Sequence, residues 1–200
     1  MNYGELKTHF KDLLNRSDVT DALAATFIDQ GITRIQRQLR SPLSERTLEY
    51  NITSQTSEVT LPSDFIELIS LYHTTQELTR ITMNRYRELT ANTYAGVPHF
   101  FARQGEKLFL YPEPATGKLV MYYHGEFTQM VNDTDENEIA KVAPDLVIYS
   151  ALTYAADWFL DERSDLFEKK FTQFILEVQE QANDQELNGS LQVINPSYRY

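Results

Sequence analysis

The residues best suited to chemistry in this chain are scattered carboxylates and four histidines. The run Asp133-Thr134-Asp135-Glu136-Asn137 sets acidic or amide oxygens at alternate positions, as a calcium-binding loop does. The pattern then breaks. Its sixth position is Glu138, where the sharp turn needs glycine, and its twelfth is Pro144, where a bidentate glutamate belongs. The run therefore reads as a solvated loop before a helix. His9, His73, His99 and His124 are far apart and form no ligand pair at helical spacing. His73 and His124 fall on expected strands, which leaves a meeting in space open. Glu67, Glu126, Asp157 and Asp161 are candidates for a general acid and base, but nothing in their spacing singles out a pair. No serine sits in a nucleophile elbow and no glycine-rich loop is built to hold phosphate. With no cysteine there is no thiolate zinc site, cysteine nucleophile or disulfide framework. Neither a catalytic residue set, a metal site nor a cofactor is expected, and the chain does not read as an enzyme.

The elements around these residues divide the chain into three parts. At 3–14 Tyr3, Leu6, Phe10, Leu13 and Leu14 share one helical face. After the break at Asn15-Arg16-Ser17, Asp18 or Thr20 can cap a second helix with a stripe of Leu23, Phe27, Ile28, Ile32, Ile35 and Leu39. Its other face carries Arg34, Arg37 and Arg40 near the C-terminal end, where cations complement the helix dipole. Beyond Pro42 the period changes to two, with strands expected at 47–52, 66–71, 99–103, 107–111 and 118–125 and a short helix at 84–91. The last strand is dense in large residues and reads as the centre of its sheet. Pro144 opens a helix that is apolar most of the way round, from Leu146 to Phe159, and so must be covered on several sides. A final helix carries Phe167, Phe171, Phe174, Ile175 and Val178, and residues 188–200 show no helical period.

The expected fold class is α+β. The N- and C-terminal helices form one bundle, with a small antiparallel β domain inserted and an extended C-terminal tail. Boundaries fall at 1–45, 46–130, 131–187 and 188–200. The net charge of −11 is unevenly placed: residues 133–200 carry five basic side chains against fourteen acidic ones. Non-specific phosphate binding needs an excess of Lys and Arg, so sequence-specific DNA binding is disfavoured. The acidic excess reads either as a solvated surface or as a wall that lets DNA pass without holding it. The apolar runs are far too short to span a membrane, and the charged N-terminus lacks a signal core, so neither membrane insertion nor export is expected.

Several phrases, in order, resemble the head-to-tail adaptor family of tailed bacteriophages. They are Leu14-Asn15-Arg16-Ser17-Asp18-Val19-Thr20, Phe27-Ile28 with Arg34-Ile35-Gln36-Arg37-Gln38-Leu39-Arg40, and Leu61-Pro62-Ser63-Asp64-Phe65-Ile66-Glu67-Leu68. Gly96-Val97-Pro98, Leu108-Phe109-Leu110-Tyr111-Pro112, Pro144-Asp145-Leu146, Tyr149-Ser150-Ala151-Leu152 and Asp161-Glu162-Arg163 follow. The resemblance implies a structural virion protein made in the host cytoplasm and built into the neck. It further implies a closed ring of about twelve copies joined by head-to-tail contacts. The ring would dock on the portal protein, let double-stranded DNA pass through, and receive a tail tube or nozzle protein on its other side.

On that resemblance, residues 188–200 are the expected portal-binding arm, with Leu191, Val193, Ile194, Tyr198 and Tyr200 as its anchors. Arg34, Arg37 and Arg40 of one subunit are expected to meet the acidic 161–168 segment of its neighbour, with Asp161, Glu162 and Asp165. The loops around 53–57 and 113–117, through Ser54, Gln55, Glu113 and Thr116, are the tail-facing candidates. Two other readings stand beside this one. A stopper or tail-completion protein would bind an existing adaptor ring. A small-ligand-binding regulatory protein would be a stable monomer with a closed apolar pocket.

Overall fold

The computed structural model describes residues 1–91 and 95–187, and the chain forms two compact units. The first comprises Met1–Leu43 and Phe127–Tyr200; the second is the inserted Ser44–Glu126.

The first unit is helical. Helix α1, Tyr3–Leu14, starts with a capping box. The Asn2 side chain accepts from the Glu5 N–H at 2.9 Å, and the Glu5 carboxylate accepts from the Asn2 N–H at 3.0 Å. Asn15 ends it in the left-handed conformation, at φ 55°. Helix α2, Asp21–Gln38, is capped by Thr20, whose hydroxyl accepts from the Leu23 N–H. Asp18, the other candidate cap, is instead bound to Arg16. A short helix α4, Glu138–Val142, precedes α5, Pro144–Phe159, and α6 spans Ser164–Leu187. The sequence reading did not foresee α4. It has only five residues and rests on an Asn137 cap that accepts from the Ala140 N–H.

Helix α5 is the core of this unit and packs on α1, α2, α4 and α6. Leu146, Val147, Ser150, Ala151, Leu152 and Ala155 are completely buried. The closest approach is at Gly31 of α2, where a Cβ would lie 2.9 Å from the Ala151 nitrogen. Only glycine leaves room for the two backbones there. The buried Ser150 hydroxyl donates to the Gly31 carbonyl at 3.0 Å, tying the crossing together. The cover expected for an all-round apolar helix thus comes largely from its own chain. It stops at the C-terminal end, where Trp158 is 68% exposed and Leu160 88%.

The inserted unit holds two four-stranded sheets. One has the order β1-β8-β3-β4, with β1 Glu45–Ile52, β8 Gly117–Gly125, β3 Phe65–His73 and β4 Gln76–Glu77. The other is β2-β7-β6-β5, with β2 Glu58–Thr60, β7 Lys107–Tyr111, β6 Phe100–Gln104 and β5 Thr79–Arg80. Helix α3, Met83–Thr90, links β5 to the segment before β6. All pairs are antiparallel except β5 with β6, which run parallel over Thr79↔Phe100 and Arg80↔Phe101. As expected, β8 is central, paired on both sides by β1 and β3. Alternate residues of both sheets meet in one apolar core, in which Leu71, Leu108, Leu110, Leu119 and Met121 are almost wholly buried.

Candidate functional site

Several of the candidate carboxylates and histidines have structural partners. The chain from Val131 to Asn137 folds onto the start of α1. There the carbonyls of Asp135 and Asp133 accept from the N–H groups of Tyr3 and Gly4, at 2.8 and 2.9 Å. These are donors that a helix start leaves without intrahelical partners. The Asp135 carboxylate accepts from the backbone of Asn132 and Val131, which hold its pKa below the usual carboxylate value. Asp133 pairs with Lys7, and Asn137 caps α4. The loop thus fastens α1 to the bundle, and its oxygens do not converge on a cation site. No group of three or more possible metal ligands occurs among the described residues.

His73 and His124 do not meet. His73 is opposite Leu119 on β8, and His124 is five residues further along that strand, roughly 17 Å away at strand rise. His73 is buried and donates through Nε2 to the Thr116 carbonyl at 3.1 Å, while His124 bonds the Ser44 hydroxyl at 2.9 Å. Of the four candidate acid–base carboxylates, Glu67 and Glu126 belong to the inserted unit and Asp157 and Asp161 to the bundle.

Asp161 is committed to an ion pair. Its oxygens accept from the Arg163 guanidinium at 2.7 and 3.0 Å and from the Arg163 N–H at 2.9 Å, which lowers its pKa to about 2. The same guanidinium donates to the carbonyls of Leu13 and Leu14, at 3.2 and 2.8 Å, and lies 5.1 Å from the centre of the Phe167 ring. Arg163 therefore caps the C-terminal end of α1, where helical carbonyls lack partners. Sequence reasoning had no means of seeing this role, because the two partners are some 150 positions apart.

The interface candidates divide in the same way. Arg34 forms a two-pronged pair with Glu168, donates to the Thr153 hydroxyl at 3.0 Å, and stacks 4.0 Å from the Phe171 ring centre. The basic face of α2 and the acidic start of α6 do attract each other at this point, but within a single chain. Arg40 donates to the carbonyls of Gln36 and Leu39, at 2.8 and 3.1 Å. Arg37, Glu162 and Asp165 are exposed. Trp158 and Leu160, at the C-terminal end of α5, are uncovered, and Leu166 is half-exposed.

In the inserted unit the two tail-facing loop candidates lie against each other. Gln55 donates to the Glu113 carboxylate at 2.6 Å, and the Thr56 N–H donates to the Pro114 carbonyl at 3.0 Å. The Gly96 N–H donates to the Glu113 carbonyl at 3.0 Å, adding a third segment. Ser54 and Thr116 are exposed beside them. The residues Leu191, Val193, Ile194, Tyr198 and Tyr200 lie outside the described residues.

The chain is thus a helical bundle carrying an inserted two-sheet unit, with several of its candidate polar groups engaged in structural bonds. The SU10 adaptor protein family matches residues 1–193, and the chain belongs to that family of phage adaptor proteins. The family is structural and non-enzymatic, in keeping with the sequence reading. The comparison with curated proteins found no match. No helix among the described residues is long and apolar enough to cross a membrane.

Proposed function

We propose that this chain is the repeating subunit of a head-to-tail adaptor ring in the virion neck. The ring docks on the portal protein, surrounds the passing DNA and receives a tail tube or nozzle protein. Membership of the phage adaptor family over nearly the whole chain carries this reading. Closed rings use two different patches per subunit, and ring closure makes weak contacts mutually reinforcing. The uncovered end of α5, with Trp158 and Leu160, supplies one apolar patch, with Glu162 and Asp165 close by in sequence; Arg37, ten residues along α2 from the Phe27 that touches Trp158, supplies a separate polar contact. Asp161 and Arg34 hold the subunit together and serve the ring only indirectly. The linked loops at 53–57 and 113–117 form the tail-facing surface, and residues 188–200 form the portal-docking arm.

The test is native mass spectrometry of the purified chain, alone and with the portal ring of the same virus. The expected result is monomer alone and about one chain per portal subunit in the mixture, as multivalent ring closure requires. Absence of portal binding overturns the role and favours a stopper or tail-completion protein.

A further inference from the structure

An apolar groove of about 300 Å³ opens in the helical unit between the C-terminal turns of α6 and the segments on either side of it. Pro42 and Leu43 form one wall, Val142 at the end of α4 another, and Val178, Gln181 and Ala182 the floor. Val142 is 48% exposed, although its surroundings are apolar. From Ala182, α6 runs five residues to Leu187, about 7.5 Å at helical rise, and thirteen residues follow it.

We infer that residues 188–200 turn back along α6 and seat Leu191 and Val193 of the same chain in this groove. The reach suffices. Leu191 is four residues beyond Leu187 and Val193 six, so they can travel about 14 and 20 Å from the helix end. Either distance exceeds the return to Ala182. Gly189 lies where the chain must reverse, the residue type least restricted in doing so. Leu191-Gln192-Val193 alternates apolar and polar side chains, so an extended segment turns both apolar ones to a single side. Charge agrees as well. Residues 188–200 contain Arg199 and no acidic side chain, whereas this stretch of α6 carries Glu177, Glu180 and Asp184. The inference concerns the free chain and does not require the portal-docking role. Where that role holds, groove and portal compete for one segment.

The test uses the absence of cysteine in the native chain. The full-length V142C/V193C variant is oxidised mildly at low protein concentration, and disulfide formation is followed on non-reducing gels and by intact mass. The control is E180C/V193C. Glu180 is exposed, does not line the groove and is nearer to Val193 in sequence, so undirected sampling links it faster. The expected result is an intramolecular 142–193 bond forming several-fold faster than 180–193, and slowing several-fold when L191D is added. Equal or faster linkage in the control overturns the inference. So does a 142–193 bond that appears only between two chains, which would seat a neighbour's segment in the groove. Failure to bind portal leaves these outcomes unchanged.

Discussion

Replacing Arg163 by alanine removes, in one step, the partner of Asp161 and the cap on the last carbonyls of α1. The guanidinium makes charged hydrogen bonds to the Leu13 and Leu14 carbonyls and three, one of them shared, to the Asp161 carboxylate. Bonds of this kind contribute about 1.5–3 kcal/mol each when shielded. The Arg163 side chain is 41% exposed, so solvent reduces that figure. Water also satisfies part of what the carbonyls lose. About 2 kcal/mol is therefore expected for the whole substitution. With a urea slope of about 1–3 kcal/mol/M, the midpoint of the helical unit falls by about 1 M at unchanged slope. The unit is helical, so circular dichroism at the helical band follows the transition directly.

Two controls make the test specific. Glu162→Ala changes an exposed neighbour and is expected to shift stability by less than about 0.5 kcal/mol. Asp161→Asn addresses the pH dependence. The folded Asp161 carboxyl titrates at about 2 against 3.8 in its unperturbed state, because Arg163 stabilises the charged form. A depressed carboxyl pKa contributes stability above the unfolded value and loses it as pH falls through the folded one. The wild type should therefore exceed D161N by about 1–2 kcal/mol at neutral pH, with the two converging between pH 4 and 2. An R163A midpoint equal to wild type, or a D161N deficit that persists at pH 2, refutes the account of Arg163 as the cap of α1.

Three further outcomes are expected. Gly31→Val puts a branched side chain where even a Cβ would lie 2.9 Å from the Ala151 nitrogen, and should cost about 1–3 kcal/mol in urea unfolding of the helical unit, against about 1 kcal/mol for Ser150→Ala. Gly117 has φ 130° and its Cβ position lies 2.3 Å from His73 Nε2, so Gly117→Ala should destabilise the inserted unit by about 2 kcal/mol or more, read from its amide hydrogen exchange. His73→Ala relieves the clash but not the dihedral, and should rescue only part of that loss. Arg34→Ala and Glu168→Ala should each destabilise the bundle, with a double-mutant coupling of about 0.5–1 kcal/mol for this partly exposed pair.

The elements with a long, regular period were legible in the sequence. The stripes of α1 and α2 and the alternation in β7 and β8 give each residue's neighbours from local spacing alone. Short elements were not: α4 has five residues, and β4 and β5 have two each, too few to display a period. Division of the strands between two sheets was also hidden, since it depends on pairings such as Val59 with Leu108. The candidate surfaces divide along the same line. The mutual contact of the 53–57 and 113–117 loops, and the Arg34–Glu168 pair, are long-range and leave no mark on local sequence. Trp158 is a separate case. Its apolar helix needs cover on several sides, and the helices of its own chain stop short of supplying all of it.

The inserted unit begins and ends on neighbouring strands, with Glu45 opposite His124 and the Ser44 hydroxyl bonded to the His124 ring. Its two attachment points therefore lie side by side, and from the bundle's standpoint the insertion closes a very short loop whatever its length. Because closure entropy grows only slowly with loop length, adding or resizing such a unit costs the host little. A lineage built this way can exchange the inserted cassette wholesale. The inserted unit is then free to diverge while the helical frame remains constant.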